Sequence, residues 1–182
     1  MSAALQFLER LGAINAGAGR INVFLASCFI AIMTLIVITG VFFRYALNDS
    51  IAWVEDVSLI LMVTTAFLVA PFAYRTGANV AIELVIDTLP AIVARGLRIA
   101  INLLVLWIIY RYFFESLKLV ERGWGIRINT VPLPWAIPYL IVPLAFAQMA
   151  LVAFELIGRD IWGMANGSTD ADLPHLAPQE PE

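Results

Sequence analysis

The sequence of 182 residues has very few of the side chains that carry out most protein chemistry. It contains one cysteine, Cys28, and one histidine, His175, so it can form neither an internal disulfide nor a cysteine–histidine metal cluster. A haem held by two histidines inside a bundle and a serine–histidine hydrolase do not fit for the same reason. We therefore expect no enzyme activity and no catalytic, cofactor-binding or metal-binding residues in this chain.

Charged residues are also scarce, at 14% of the sequence against roughly 25% in soluble domains, whereas 62% of the residues are hydrophobic. A water-soluble domain of this size needs a polar surface that this composition cannot supply. The net charge of −3 provides no basic surface for nucleic acid. The composition excludes a soluble domain, a disordered chain and a nucleic-acid binder, and it predicts a protein embedded in a lipid bilayer.

Four apolar stretches are long enough to cross that bilayer, at about 21–43, 57–74, 92–114 and 135–157. The first would form a helix of about 34 Å at roughly 1.5 Å per residue, enough for a hydrocarbon core of about 30 Å. A cleaved signal peptide is the competing interpretation, but the apolar region of a signal covers only about 7–15 residues. The sequence predicts an all-α integral membrane protein with four transmembrane helices, forming a single domain over residues 1–162.

The segments around these spans suggest further structure. Residues 3–16 and 76–90 combine apolar and polar faces, which is typical of helices that lie on the membrane surface. The third span is expected to continue beyond the bilayer as an amphipathic helix that ends near Gly123. Pro138 and Pro143 predict a bend in the first half of the fourth span. Residues 163–182 are rich in glycine, proline and aspartate, and we expect a disordered tail there.

Few polar residues lie at membrane depth. For Asn102 and Gln148 we expect hydrogen bonds between helices, with contact to a substrate as the alternative. Pro143, Ala147 and Ala150 form a small-residue face beside Gln148 that would allow another helix to pack closely. No ionisable residue lies near the centre of the first, second or fourth span, although such residues usually mark transport routes. The chain is therefore predicted to be a membrane subunit that supports a larger partner.

Charged residues flank the loop between the first two spans. Arg44 precedes this loop, and Glu55 and Asp56 follow it. The two carboxylates could bind a cation, but at a membrane interface we favour water-facing charges or an Arg44–Glu55 pair that closes the loop. Four spans place both termini on one side of the membrane. Lysine and arginine are almost equally divided between the two sides, with a slight excess that weakly favours cytoplasmic termini.

The order of motifs along the chain resembles that of the small membrane subunit of tripartite ATP-independent periplasmic (TRAP) transporters, the DctQ-like family. The stretches that carry the resemblance read FFRYALNDSIAWVEDVSLILM, PFAYRTGANVAIELVIDTLP and NTVPLPWAIPYLIVPLAF. The residues that match the family pattern are Arg44-Tyr45, Trp53, Glu55, Leu89-Pro90, Pro134 and Pro143. The second acid of the family's Glu-Glu pair is Asp56 here. The resemblance covers roughly residues 20–160.

The resemblance implies a role in the bacterial inner membrane, with both termini cytoplasmic. In this family a periplasmic binding protein delivers an organic acid, typically a carboxylate, to a pair of membrane subunits. The large subunit holds the substrate and sodium sites and moves as an elevator. The small subunit is the fixed scaffold beside it, with docking of the binding protein as a further expected role.

Two groups of residues are candidates for contact with partners. On the side away from the termini they are Arg44, Trp53, Glu55, Lys118, Arg122 and Arg127. Within the fourth span they are Pro143, Ala147, Gln148 and Ala150. The alternative function is a self-sufficient homo-oligomeric channel or carrier, whose shared pore would need the amides of Asn102 and Gln148. A membrane enzyme or redox anchor is disfavoured by the missing histidines.

Overall fold

The computed structural model describes residues 3–76 and 91–166, and these residues are almost entirely helical. The helices are α1 (Ala3–Ala46), α2 (Trp53–Arg75), α3 (Ala91–Gly123), α4 (Ala136–Tyr139) and α5 (Ile141–Asn166). Within the described ranges the chain has no β-strand, and its one isolated bridge pairs Arg127 with Pro134. Four helical segments are long and apolar enough to cross a membrane, with α4 and α5 forming the fourth together. The predicted fold class is confirmed.

The outer surface of the bundle is apolar. Phe24, Leu35 and Phe42 of α1 are more than half exposed, and so is Trp107 of α3. A water-soluble protein would pay a large hydration cost for such a surface, whereas lipid tails cover it without that cost. The chain is therefore a multi-pass membrane protein.

Helix α5 lies at the centre of the bundle and packs against α1, α2 and α3. Small and β-branched side chains form the packed face of α5, where Val152 is 1% exposed and Ala153 is fully buried. Helix α1 packs along α2 on one side of α5, and α3 packs on the other side. This arrangement leaves grooves between neighbouring helices that the small side chains do not fill.

Helix α1 has 44 residues and is about 66 Å long, roughly twice the hydrocarbon thickness of a bilayer. The sequence predicts a separate surface helix over 3–16, but in the structure these residues continue directly into the first span. The reason is that no proline interrupts the segment. Gly12, Gly17 and Gly19 each lower helix propensity by only about 1 kcal/mol and do not break the helix. The prediction of a separate N-terminal helix is therefore corrected.

The helix of the fourth span is interrupted in the region where the sequence predicts a bend. Helix α4 ends at Tyr139 and α5 begins at Ile141, two residues before Pro143. Pro143 has no backbone N–H to donate to the carbonyl of Tyr139, so the regular hydrogen-bond ladder is interrupted here. Helix α5 continues to Asn166, so residues 163–166 of the predicted disordered tail are helical. The rest of that tail and residues 77–90 of the predicted second surface helix lie outside the described residues.

Candidate functional site

The first candidate contacts lie at the end of the bundle opposite the N-terminus. Arg44 at the end of α1 donates from Nη2 to Oε1 of Glu55 in the first turn of α2, at 2.7 Å, and both side chains are more than half exposed. Asn48, in the connecting loop, has a φ of 54°, a left-handed conformation that asparagine tolerates better than most residues. The predicted Arg44–Glu55 pair is confirmed, and Trp53 stands partly exposed beside it.

The loop between α3 and α4 folds onto the same end. Its backbone turns back on itself, with Ile128 N donating to Leu133 O at 2.9 Å. Thr130 Oγ1 donates to Asp56 Oδ2 at 2.6 Å, which fixes the loop to the start of α2. The sequence alone does not indicate this partner for Asp56, because 74 residues separate the two side chains and no short-range pattern connects them.

The remaining candidates at this end are cationic. Lys118 pairs with Glu115 one turn earlier on α3, at 2.8 Å, and both side chains are exposed. Arg122 lies in the last turn of α3 and Arg127 in the anchored loop, and both are exposed. The structure thus brings all six candidates predicted for this side to one end of the bundle.

The opposite end contains a buried ionic cluster formed by Asn15, Arg75, Glu155 and Arg159. The Glu155 side chain is 1% exposed, and its Oε1 accepts from Arg75 Nη2 at 3.1 Å and from Arg159 Nη2 at 2.9 Å. Its Oε2 accepts from Asn15 Nδ2 at 2.8 Å and from Arg75 Nε at 3.2 Å. Arg75 also donates to the carbonyl of Gly12. One carboxylate therefore joins α1, α2 and α5.

The sequence alone does not predict this cluster. Charges near the ends of spans are ordinary at a membrane interface, and Asn15 and Arg75 lie 140 and 80 residues from Glu155. The spacing of Glu155 and Arg159, one helical turn apart, was the only local signal that could have suggested an ion pair.

The polar residues at membrane depth bond to neighbouring helices. Gln148 Oε1 of α5 accepts from Asn22 Nδ2 of α1 at 2.7 Å. Asn102 Oδ1 of α3 accepts from the hydroxyl of Tyr74 at 2.7 Å. The expected interhelical bonding is confirmed. The homo-oligomeric channel would need these two amides to line a pore, so their engagement argues against that alternative.

An apolar groove of about 590 Å³ runs between α3 and α5. Ala147 and Ala150 of α5 leave the space, and aromatic side chains such as Trp107 and Phe154 line its sides. Pro143 is buried and lies outside this groove, and Gln148 points its amide to α1. The predicted small-residue face is thus divided: the structure brings Ala147 and Ala150 together but places the other two candidates elsewhere.

Residues 33–162 match the family described as tripartite ATP-independent periplasmic transporters, DctQ component. The chain belongs to this DctQ family. The match covers the central bundle from the middle of α1 to near the end of α5, and it leaves out Gly12 and Asn15. Membership makes this chain the small permease subunit of a TRAP transporter, a transport component that works with a large membrane subunit.

Three relatives are similar to more than half of this chain. The C4-dicarboxylate TRAP transporter small permease protein DctQ of Vibrio cholerae is 24% identical over 177 residues, covering 82% of this chain and 73% of its own. The ectoine TRAP transporter small permease protein TeaB of Halomonas elongata is 26% identical over 162 residues, covering 84% and 82%. The isethionate TRAP transporter permease protein DctMQ of Oleidesulfovibrio alaskensis is 24% identical over 101 residues, covering 54% of this chain and 16% of its own.

Proposed function

We propose that this small permease subunit is the fixed scaffold of a sodium-driven TRAP transporter that takes up an organic acid, most simply a carboxylate. Sodium and substrate would bind in the large subunit, which moves against this one. The observation that best supports the proposal is the use of both membrane-depth amides for internal helix–helix bonds. Together with the cluster around Glu155, these bonds favour a rigid frame over a transport route.

The substrate class is supported by the relatives. Their names refer to C4-dicarboxylate, ectoine and isethionate, which are small organic compounds that carry an acidic group. The three names differ, and all three relatives share about a quarter of their aligned residues with this chain. We therefore propose only the class of substrate, and uptake of labelled candidate acids would identify the particular one.

We further propose that the protein lies in the inner membrane with both termini in the cytoplasm. The end that carries Arg44, Trp53 and Glu55 then faces the periplasm, where a substrate-binding protein could dock. Arg122 and Arg127 are the best docking residues, since both are exposed at this end. Arg44 already pairs with Glu55, and Lys118 with Glu115, so their charges are partly satisfied within the chain.

The proposal is tested by reconstituting the transporter in proteoliposomes. Vesicles would contain the large subunit, this chain or both, together with a binding protein loaded with a labelled carboxylate and an inward sodium gradient. We expect accumulation only when both membrane subunits and the binding protein are present. Accumulation by vesicles that contain this chain alone would overturn the scaffold assignment, and full uptake by the large subunit alone would also contradict it.

Charge reversal at the proposed docking end should lower the affinity of this end for the substrate-binding protein. For Arg122→Glu combined with Arg127→Glu, we expect the concentration of binding protein needed for half-maximal uptake to rise by about tenfold, with a weaker dependence on salt. The matched control reverses Arg10 and Arg20, which are exposed on the part of α1 nearer the termini. Equal effects of the two double variants on half-maximal uptake would exclude docking by Arg122 and Arg127.

The groove between α3 and α5 is the proposed contact for a helix of the large subunit. Ala147→Trp would fill the space that Ala147 leaves, and we expect recovery of the large subunit with the tagged small subunit to fall by about tenfold. Leu144→Trp is the control, because Leu144 is 63% exposed on the same helix but does not line the groove. Undiminished recovery with Ala147→Trp would place the subunit contact elsewhere.

A further inference from the structure

A second groove, of about 470 Å³, lies between α1 and α2 and is distinct from the groove beside α5. Its lower part is apolar, with Met33, Val37 and Val41 on α1 facing Met62 on α2. Val54 of α2 packs closely against Gly40 of α1 in the wall of the groove. The groove is open along the outer face of the bundle, on the side that lipid would cover.

The groove has the depth of one membrane leaflet. Met33 and Arg44 both line it, and they are separated by about 16 Å along α1 at roughly 1.5 Å per residue. Half of a hydrocarbon core of about 30 Å is nearly the same distance. An acyl chain that begins at the level of Arg44 would therefore reach the membrane midplane near Met33.

The outer end of the groove presents one cation beside one anion. Arg44 uses Nη2 to bond Oε1 of Glu55, so its other guanidinium N–H groups and the Oε2 atom of Glu55 remain available for a ligand. Guanidinium groups bind phosphate oxygens well, and a carboxylate accepts hydrogen bonds from a primary ammonium group. These two groups are the charged parts of a phosphoethanolamine headgroup.

A hydroxyl lies one turn below this pair. Ser58 lines the groove, and its Oγ atom is buried without a hydrogen-bond partner among the described residues. It follows Glu55 by three residues, about 4.5 Å deeper along α2. The ester carbonyls of a phospholipid lie below its phosphate, at the level of this hydroxyl.

We propose that this groove is a binding site for phosphatidylethanolamine, with the phosphate on Arg44, the ammonium on Glu55 and an acyl chain along Val37 and Val41. The choice follows from charge complementarity. An anionic headgroup without an ammonium would compete with Glu55 for Arg44 and would offer no ammonium N–H to the Oε2 atom of Glu55, and a choline headgroup has no N–H to donate to it either. The proposal goes beyond the transport function, since it concerns a lipid that binds to the outer surface of this subunit.

The test measures lipid binding to the full-length chain purified with its large subunit. Native mass spectrometry in mild detergent would follow titrations with phosphatidylethanolamine, phosphatidylglycerol and phosphatidylcholine that carry the same acyl chains. We expect phosphatidylethanolamine to bind about tenfold more tightly than the other two, the ratio that one charge-assisted hydrogen bond provides. Equal binding of the three lipids would overturn the proposal.

Two variants locate the site. Val41→Trp fills the groove and should lower phosphatidylethanolamine binding by about tenfold, whereas Ile38→Trp, on an exposed position of α1 outside the groove, should leave it unchanged. Glu55→Gln should abolish the preference over phosphatidylglycerol, whereas Glu115→Gln, which breaks an ion pair away from the groove, should preserve it. Unchanged binding in Val41→Trp would overturn the site. Loss of the large subunit from Val41→Trp with no loss of lipid would show that a protein helix occupies the groove instead.

Discussion

Replacing Glu155 with alanine is expected to destabilise the protein by about 3–5 kcal/mol, the typical cost of removing one partner from a buried ion pair. The carboxylate accepts hydrogen bonds from Asn15, Arg75 and Arg159, and its side chain is 1% exposed. Without it, two guanidinium groups that are 20% and 12% exposed face each other with no anion between them. Their repulsion and incomplete hydration both oppose folding.

The loss should appear as a lower temperature of unfolding for the purified protein in detergent, followed by size-exclusion chromatography after heating. Glu115→Ala is the matched control, because it also removes a glutamate carboxylate from an ion pair. In that pair the side chains of Glu115 and Lys118 are both more than half exposed. That change should lower the unfolding temperature far less than Glu155→Ala does, because solvent screens an exposed ion pair. If the two alanine variants unfold at the same temperature, the cluster does not stabilise the bundle in the way its geometry implies.

The cluster also explains how the unusual length of α1 is used. Gly12 and Asn15 belong to the part of α1 that extends beyond the predicted first span. Asn15 is a member of the cluster, and the Gly12 carbonyl accepts a hydrogen bond from Arg75. A side chain at position 12 would collide with Arg159 and Glu155, so glycine permits the close approach of α1 to α5 here. The extension is thereby tied to the bundle at its end, as a rigid frame requires.

Features that depend on local sequence could be predicted. The four spans follow from hydropathy and length, because a membrane helix must satisfy its backbone internally and be about 20 residues long. The Arg44–Glu55 pair follows from a short loop that returns the chain to the same membrane surface. The bonds of Asn102 and Gln148 follow from the cost of leaving an amide unpaired in lipid.

Features that depend on distant residues could not be predicted. The sequence shows charges near the ends of the spans. It does not show that Glu155 and Arg75, which are 80 residues apart, form an ion pair in the folded bundle. The groove between α1 and α2 likewise depends on how the two helices pack around the contact between Gly40 and Val54, which hydrophobic periodicity does not reveal. The predicted break after residue 16 was wrong because amphipathic composition does not by itself end a helix.

The second large effect is expected from Gly123→Ala at the end of α3. A Cβ atom at this position would lie 2.7 Å from the backbone nitrogen of Ala136 and 2.9 Å from its Cα. Backbone atoms cannot rotate away as a flexible side chain can, so α3 and α4 would have to separate. We expect a destabilisation of about 1–3 kcal/mol, the usual cost of overpacking.

Gly96→Ala tests whether this cost arises from contact or from the loss of a glycine. Both residues lie in α3, but a Cβ at Gly96 meets no atom within 4 Å. Alanine should therefore stabilise the helix at that position by about 0.5–1 kcal/mol. Opposite shifts in unfolding temperature would identify the α3–α4 contact as a close-packed joint. Shifts of the same sign would show that the end of α3 and the start of α4 can move apart freely. The contact between Gly123 and Ala136 would then not hold the loop that carries Arg127 in place.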